Sequence, residues 1–139
     1  MRFFVNHVST ILNDAQIREF ALATVRTHRP GLIRKMTRVG ESFHETMETR
    51  LRMKIFAQVA EADGGTIKTL RPPQELPPRA PDLPWLVCQS ELHSFVHRAM
   101  EGRSLTQVSG DYLAWCDHWL RGHITTYIQA MSSAGKTIS

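Results

Sequence analysis

Cysteine is scarce in this 139-residue chain, and the scarcity closes off two classes at once. Cys88 and Cys116 are too few for a disulfide framework, and their placement does not make a Cys-rich zinc site. The chain also lacks any apolar run long enough to cross a bilayer. The opening Met1, Arg2, Phe3, Phe4 and Val5 fall short of a signal-peptide core. These absences predict a soluble cytoplasmic protein with no membrane partner. Proline is missing from most of the chain as well. Six of the seven prolines fall within residues 71–84, so that stretch reads as an extended linker and the remainder is free to be helical.

Acidic residues hold no majority in either half. Residues 1–70 carry 11 Lys and Arg against 7 Asp and Glu, whereas residues 71–139 carry 6 against 6. The whole basic surplus of +4 therefore sits in the first half, which points to a polyanionic partner engaged mainly there.

What the chain does have is a repeat. Met36, Thr37, Arg38 and Val39 set over Leu105, Thr106, Gln107 and Val108 start the match. Phe43 then falls on Tyr112, Met47 on Cys116, Leu51 on Leu120, Arg52 on Arg121, Ile55 on Ile124 and Val59 on Ile128. After one deleted residue, Lys68, Thr69 and Leu70 fall on Lys136, Thr137 and Ile138. Apolar type matches at every helical position, and the same Lys-Thr-aliphatic tripeptide closes both copies, so the chain reads as an internal duplication. A half of about 70 residues encloses a core poorly by itself. Two copies that bury their apolar faces on each other are the expected solution.

Residues 1–13 read as an N-terminal arm, β-branched and aromatic, with a short strand and a packed arm equally open. The first repeat covers residues 14–70. Asn13 and Asp14 predict the N-cap of a helix over about 15–26, with Ile17, Phe20, Ala21, Thr24 and Val25 on one face. Residues 26–35 predict a basic loop broken by Pro30 and Gly31. Apolar residues at i, i+4 and i+8 predict a long helix over 41–62, stopped by Asp63, Gly64 and Gly65, with a brief strand after it. The linker occupies residues 71–85 and, if extended, reaches about 40 Å at roughly 3 Å per residue. The second repeat, residues 86–139, predicts helices over about 90–101 and 110–131, the latter with Ser109 as N-cap. Gly102, Arg103 and Ser104 stand where the first repeat has its basic loop, and Ser133, Ala134 and Gly135 stop the long helix.

A short helix, an Arg-Val loop, a long helix, a small-residue stop and Lys-Thr-aliphatic resemble the histone fold. The residues that carry the resemblance are Thr37, Arg38, Val39 and 65–70 in the first copy, and Thr106, Gln107, Val108, Ser109 and 134–138 in the second. The chain looks most like the minimal, tailless histones of archaea and bacteria, fused as a doublet. The resemblance implies an all-α histone-fold pseudodimer, in which the long helices cross antiparallel in a handshake. Residues 37–39 would then pair with 136–138, and 107–108 with 68–70, as two short parallel strand bridges. In the family such loops grip the DNA backbone, with Arg in the minor groove and Lys-Thr on phosphate. Carried over, the positions are Arg38, Lys68, Thr69, Lys136 and Thr137, with Arg29, Arg34 and Lys35 added from the basic loop. Two departures stand out: Gln107 replaces the second Arg, and the family's third helix is missing after both Leu70 and Ile138.

The function this implies is non-specific binding of duplex DNA, nucleoid-associated and architectural or compacting. The alternative is a histone-fold protein-interaction module or accessory subunit without significant DNA binding, its partner engaged through the second repeat. Catalysis is not expected, because Asp117 and His118 have no oxyanion site or pocket in view. No cofactor or metal is expected either: His93 and His97 have the i, i+4 spacing of a metal pair but no convincing third ligand. Trp85 is expected to anchor the linker. Trp115 and Trp119 fall on Thr46 and Arg50 of the first copy, positions expected to face outward, and so predict either packing under the linker or arm, or a partner surface.

Overall fold

The computed structural model describes residues 10–32, 36–132 and 136–139. It is mostly helical with a few two-residue strands. The order is α1 (Asp14–His28), β1 (Arg38–Val39), α2 (Glu41–Ala62), β2 (Thr69–Leu70), α3 (Gln89–Ala99), β3 (Gln107–Val108), α4 (Tyr112–Ala130) and β4 (Thr137–Ile138), with a 3-10 turn at Pro30–Leu32. Among the described residues no helix lies between Leu70 and Gln89, and none is long and apolar enough to cross a membrane.

The long helices form where the apolar spacing predicts them. Every aligned apolar pair is buried in both copies: Phe43, Met47, Leu51, Ile55 and Val59 on α2, and Tyr112, Cys116, Leu120, Ile124 and Ile128 on α4. At about 1.5–3 kcal/mol for each large apolar side chain taken out of water, these stripes are the main source of stability. They belong to one core cluster drawn from both repeats. The relative direction of the two helices follows from the strands. β1, just before α2, pairs in parallel with β4, just after α4; β2, just after α2, pairs in parallel with β3, just before α4. The start of each long helix therefore lies beside the end of the other, and α2 and α4 pack antiparallel.

The short helices are exchanged. α1 packs chiefly on α4 of the second repeat, and α3 packs on α2 of the first as well as on α4. One matched contact appears twice. The Arg52 guanidinium sits over the Phe95 ring at 4.6 Å, and Arg121 sits over Phe20 at 5.2 Å. Phe20 and Phe95 are sequence equivalents, as are Arg52 and Arg121, so each repeat supplies the ring for the other's cation. The segments ahead of α1 and α3 also meet symmetrically. Leu12 bridges Val87 antiparallel, Asn13 N–H donates to Leu86 O at 2.8 Å, and Cys88 N–H donates to Ile11 O at 2.9 Å.

Each of those arginines is held by an acid one turn earlier. Glu48 accepts from Arg52 at 2.7 and 3.1 Å and from the Thr10 hydroxyl. Its equivalent, Asp117, is fully buried and accepts from Arg79 at 2.7 Å, Arg121 at 2.9 Å and the Leu86 N–H at 2.7 Å. Arg79 comes from the proline-rich linker, also donates to Leu83 O and Pro84 O, and lies over the Trp85 ring at 3.8 Å. Trp85 thus anchors the linker as expected, through Arg79.

Several boundaries differ from the sequence expectation. α1 extends to His28, so Arg26 and His28 belong to its last turn rather than to a loop. Asn13 caps α1 through a bond from Gln16 N–H. The cap of α4 is Asp111, not Ser109, whose hydroxyl instead donates to Asp111 at 2.6 Å. Trp115 is only 5 % exposed and stacks with Tyr112, so it is a core residue and not an outward one. Trp119 is half-buried. The N-terminal arm expected over 1–13 lies outside the described residues up to position 9.

The two acid sites make a matched experiment. Asp117→Ala strands two arginines and a backbone donor in a buried setting and is expected to lower unfolding free energy by about 3–5 kcal/mol. Glu48→Ala acts on a pair whose partners are 25 % and 21 % exposed, and about 1 kcal/mol is expected. Urea unfolding of both variants measures the difference.

Candidate nucleic-acid interface

The two strand pairs are built by the same three backbone hydrogen bonds. At one end Thr37 and Arg38 N–H donate to Lys136 O at 3.1 and 3.3 Å, and Gly40 N–H to Ile138 O at 2.8 Å. At the other, Thr106 and Gln107 N–H donate to Lys68 O at 2.8 and 3.1 Å, and Ser109 N–H to Leu70 O at 2.9 Å. Val39, Leu70, Val108 and Ile138 turn inward to varying depth, which leaves the alternate residues to face solvent.

At the first end this places Arg38 in register with Thr137, next to Lys136, and all three are exposed. At the second end Thr69 is in register with Gln107, next to exposed Lys68. The Thr69 hydroxyl donates to Gln107 Oε1 at 3.3 Å, so the residue that replaces the second arginine is engaged within the strand pair. The predicted residues are therefore split into two sets, Arg38, Lys136 and Thr137 against Lys68 and Thr69. The helix between them has 22 residues, which separates the sets by about 33 Å at 1.5 Å per residue.

Arg29 does not join either set as a free cation. It donates to Ile128 O at 3.1 Å and Met131 O at 2.7 Å, capping the C-terminus of α4 where orphan carbonyls and the helix dipole both favour a cation. The opposite helix end is tied in the matching way. Ser104 N–H and Arg103 donate to Asp63 at 2.8 and 3.2 Å, and Gly64 N–H donates to the Ser104 hydroxyl at 2.7 Å. The Ser104 backbone donor is the main cause that holds the Asp63 carboxyl below its usual range, so this tie persists through that range and loosens only as pH falls below it. Arg34 and Lys35 lie outside the described residues.

Gly40 was not singled out by sequence reasoning. A Cβ there would stand 3.0 Å from Thr137 Cγ2, so its small size lets β4 approach the start of α2. The only hint in the sequence is that glycine occupies the N-cap position before Glu41, with Ser109 as its equivalent.

Asp117 and His118, expected to have no pocket, both line a cavity of about 390 Å³ between the linker and α4. Asp117 is committed to two arginines, and His118 on the next position is exposed. His93 and His97 do converge, with Nε2 atoms 3.2 Å apart, but among the described residues no group of three or more His, Cys, Asp or Glu stands together to hold a metal.

No protein-family model, curated protein or solved structure matches this chain. The assignment of Arg29 is open to direct measurement. Arg29→Ala, by removing charge-assisted bonds to two carbonyls, is expected to cost about 1.5–3 kcal/mol. Lys136→Ala, at an exposed side chain, is expected to stay within about 0.5 kcal/mol. Thermal or urea unfolding separates the two.

Proposed function

We propose that this chain is a histone-fold doublet that binds duplex DNA through backbone contacts without sequence preference. Its role would be architectural, bending or compacting DNA of the nucleoid. The observation that carries the reading is the repeated strand pair. It presents Arg38, Lys136 and Thr137 at one end and Lys68 and Thr69 at the other, on or next to paired short strands beside a helix start. A spacing of about 33 Å between the ends is close to one turn of B-DNA, about 34–36 Å, so both sets can meet the backbone on one face of a duplex. Cations near phosphate supply affinity without reading bases, and an arginine in a narrow minor groove gains from its enhanced negative potential. The end with Gln107 carries Lys68 without an arginine beside it, which makes the contact lopsided, stronger at Arg38.

The second reading is a protein-interaction module that keeps the same fold. The Thr69–Gln107 bond favours it, since it turns one of the two ends inward on itself.

Fluorescence anisotropy on a duplex of about three turns decides between them. If Arg38, Lys68 and Lys136 each displace a counterion, affinity is expected to fall about 40-fold between 50 and 200 mM salt, a slope near −2.7. The Arg38→Glu, Lys68→Glu double variant is expected to lose binding. Absence of binding by the native protein at 50 mM salt removes the DNA reading and leaves the protein-interaction one.

A further inference from the structure

A groove runs along α2 and ends beside β2, where Thr69 and Leu70 join its lining. One part, about 570 Å³, lies between Lys54, the linker residues Pro73 and Gln74, and Trp119 and His123 of α4. A second part, about 670 Å³, continues from the same Lys54 and Pro73 past Gln58 to Ile67 and Arg71. The shared residues make it one channel. Arg50 borders its far side, where its guanidinium lies 3.0 Å from His123 Nε2 and 5.2 Å from the Tyr127 ring centroid.

The charge of this channel is unbalanced. Arg52, Arg79, Arg103 and Arg121 each pair with a carboxylate. Arg50, Lys54 and Arg71 have no carboxylate partner among the described residues, although Lys54 is half-buried. Glu61 is the single acid on the lining. A half-buried cation without a counterion is costly unless something outside supplies the charge. The Arg50 charge, after burial, also contributes to lowering the affinity of His123 for a proton, as a field of uncompensated positive charge does. The same lining carries apolar groups, with Ile67 62 % exposed and Trp119 half-buried.

We propose that this channel takes up an acidic amphipathic helix of a protein partner, its carboxylates on Arg50, Lys54 and Arg71 and its apolar side against Trp119, Pro73 and Ile67. The length is set by the α2 wall from Arg50 to Ala62, about 18 Å, which is about three turns of helix. Cations and apolar groups share the lining, which suits a segment that carries both carboxylates and apolar side chains. A nucleic-acid strand needs free aromatic faces for its bases. Here Trp119 is stacked on His123 at 4.8 Å and 12°, and the Tyr127 ring carries Arg50, so these rings are engaged within the protein. Thr69 lines the channel as well as the proposed DNA contact, but the cations invoked here, Arg50, Lys54 and Arg71, are none of the residues assigned to DNA, so the inference does not depend on duplex binding.

The test titrates the full chain into a fluorescein-labelled acidic Glu/Leu helical peptide of about 12 residues. A Lys/Leu counterpart and an oligothymidylate of about the same length serve as comparisons. Saturable binding of the acidic peptide alone is expected, with a change in tryptophan emission that Trp119→Phe removes. Arg50→Glu with Lys54→Glu is expected to weaken binding at least tenfold, since the peptide then meets two added like charges. Arg71→Glu, in the exposed linker, is expected to weaken it about threefold and stands in if the double variant fails to fold. Arg98→Glu, away from the channel, is expected to change nothing. The proposal is overturned if the acidic peptide does not bind, if it binds equally to the charge-reversed protein, or if the oligothymidylate binds in preference through the same residues.

Discussion

Neither repeat has a core of its own, and that single constraint shapes everything else. α2 and α4 each expose one apolar stripe, and the two stripes are buried against each other within one cluster. A chain half this size buries too small a share of its surface to be stable alone. Exchange of the short helices extends the same logic, because the Phe20–Arg121 and Phe95–Arg52 contacts join residues of opposite repeats. The fold is therefore a single cooperative unit, even though its sequence divides cleanly in two.

The duplication is symmetric in its interior and unsymmetric on its surface. Backbone bonds at the two strand pairs agree to within a few tenths of an ångström, and the bridge between Leu12 and Val87 sits midway between the repeats. Outside, Asp117 is buried beneath Arg79 and the linker, while its equivalent Glu48 remains partly open. The linker is the cause. Its Arg79 covers Asp117 on α4, and no linker residue bonds the equivalent Glu48 on α2 among the described residues. The two copies differ where they meet solvent, as Gln107 at the position equivalent to Arg38 illustrates.

What could be read from the sequence is what depends on spacing. Residues buried at every fourth position on α2 follow from spacing and the stop at Gly64 with its positive φ from glycine, whereas the pairing of Arg38 with Thr137 and Thr69 with Gln107 was expected only from the resemblance to the histone fold. What could not be read depends on chain segments that fall outside the repeat. Trp115 looked outward because its equivalent is Thr46, yet α4 is enclosed over a wider arc, with Trp115 and Asp117 added to its buried set. Arg29 looked like one more loop cation, and only the position of the α4 terminus turns it into a cap. The unpaired charge of Arg50 and Lys54 was equally hidden, since a lone sequence does not tell which cations find carboxylates.

The pairing of β1 with β4 has a consequence for how the chain is made. Arg38 and Thr137 are 99 residues apart, so the residues of β4 leave the ribosome long after those of β1. Until they emerge, the first repeat has made its long helix but has no mate for the apolar stripe. Closure of so long a loop is slow compared with local helix growth. During that interval the waiting half is as complementary to a second nascent chain as to its own other half. Two chains trading repeats would satisfy every buried contact. The tether of residues 71–84 opposes this by keeping the intramolecular mate at high effective concentration, which makes its length a control on whether translation yields monomers or interlocked pairs.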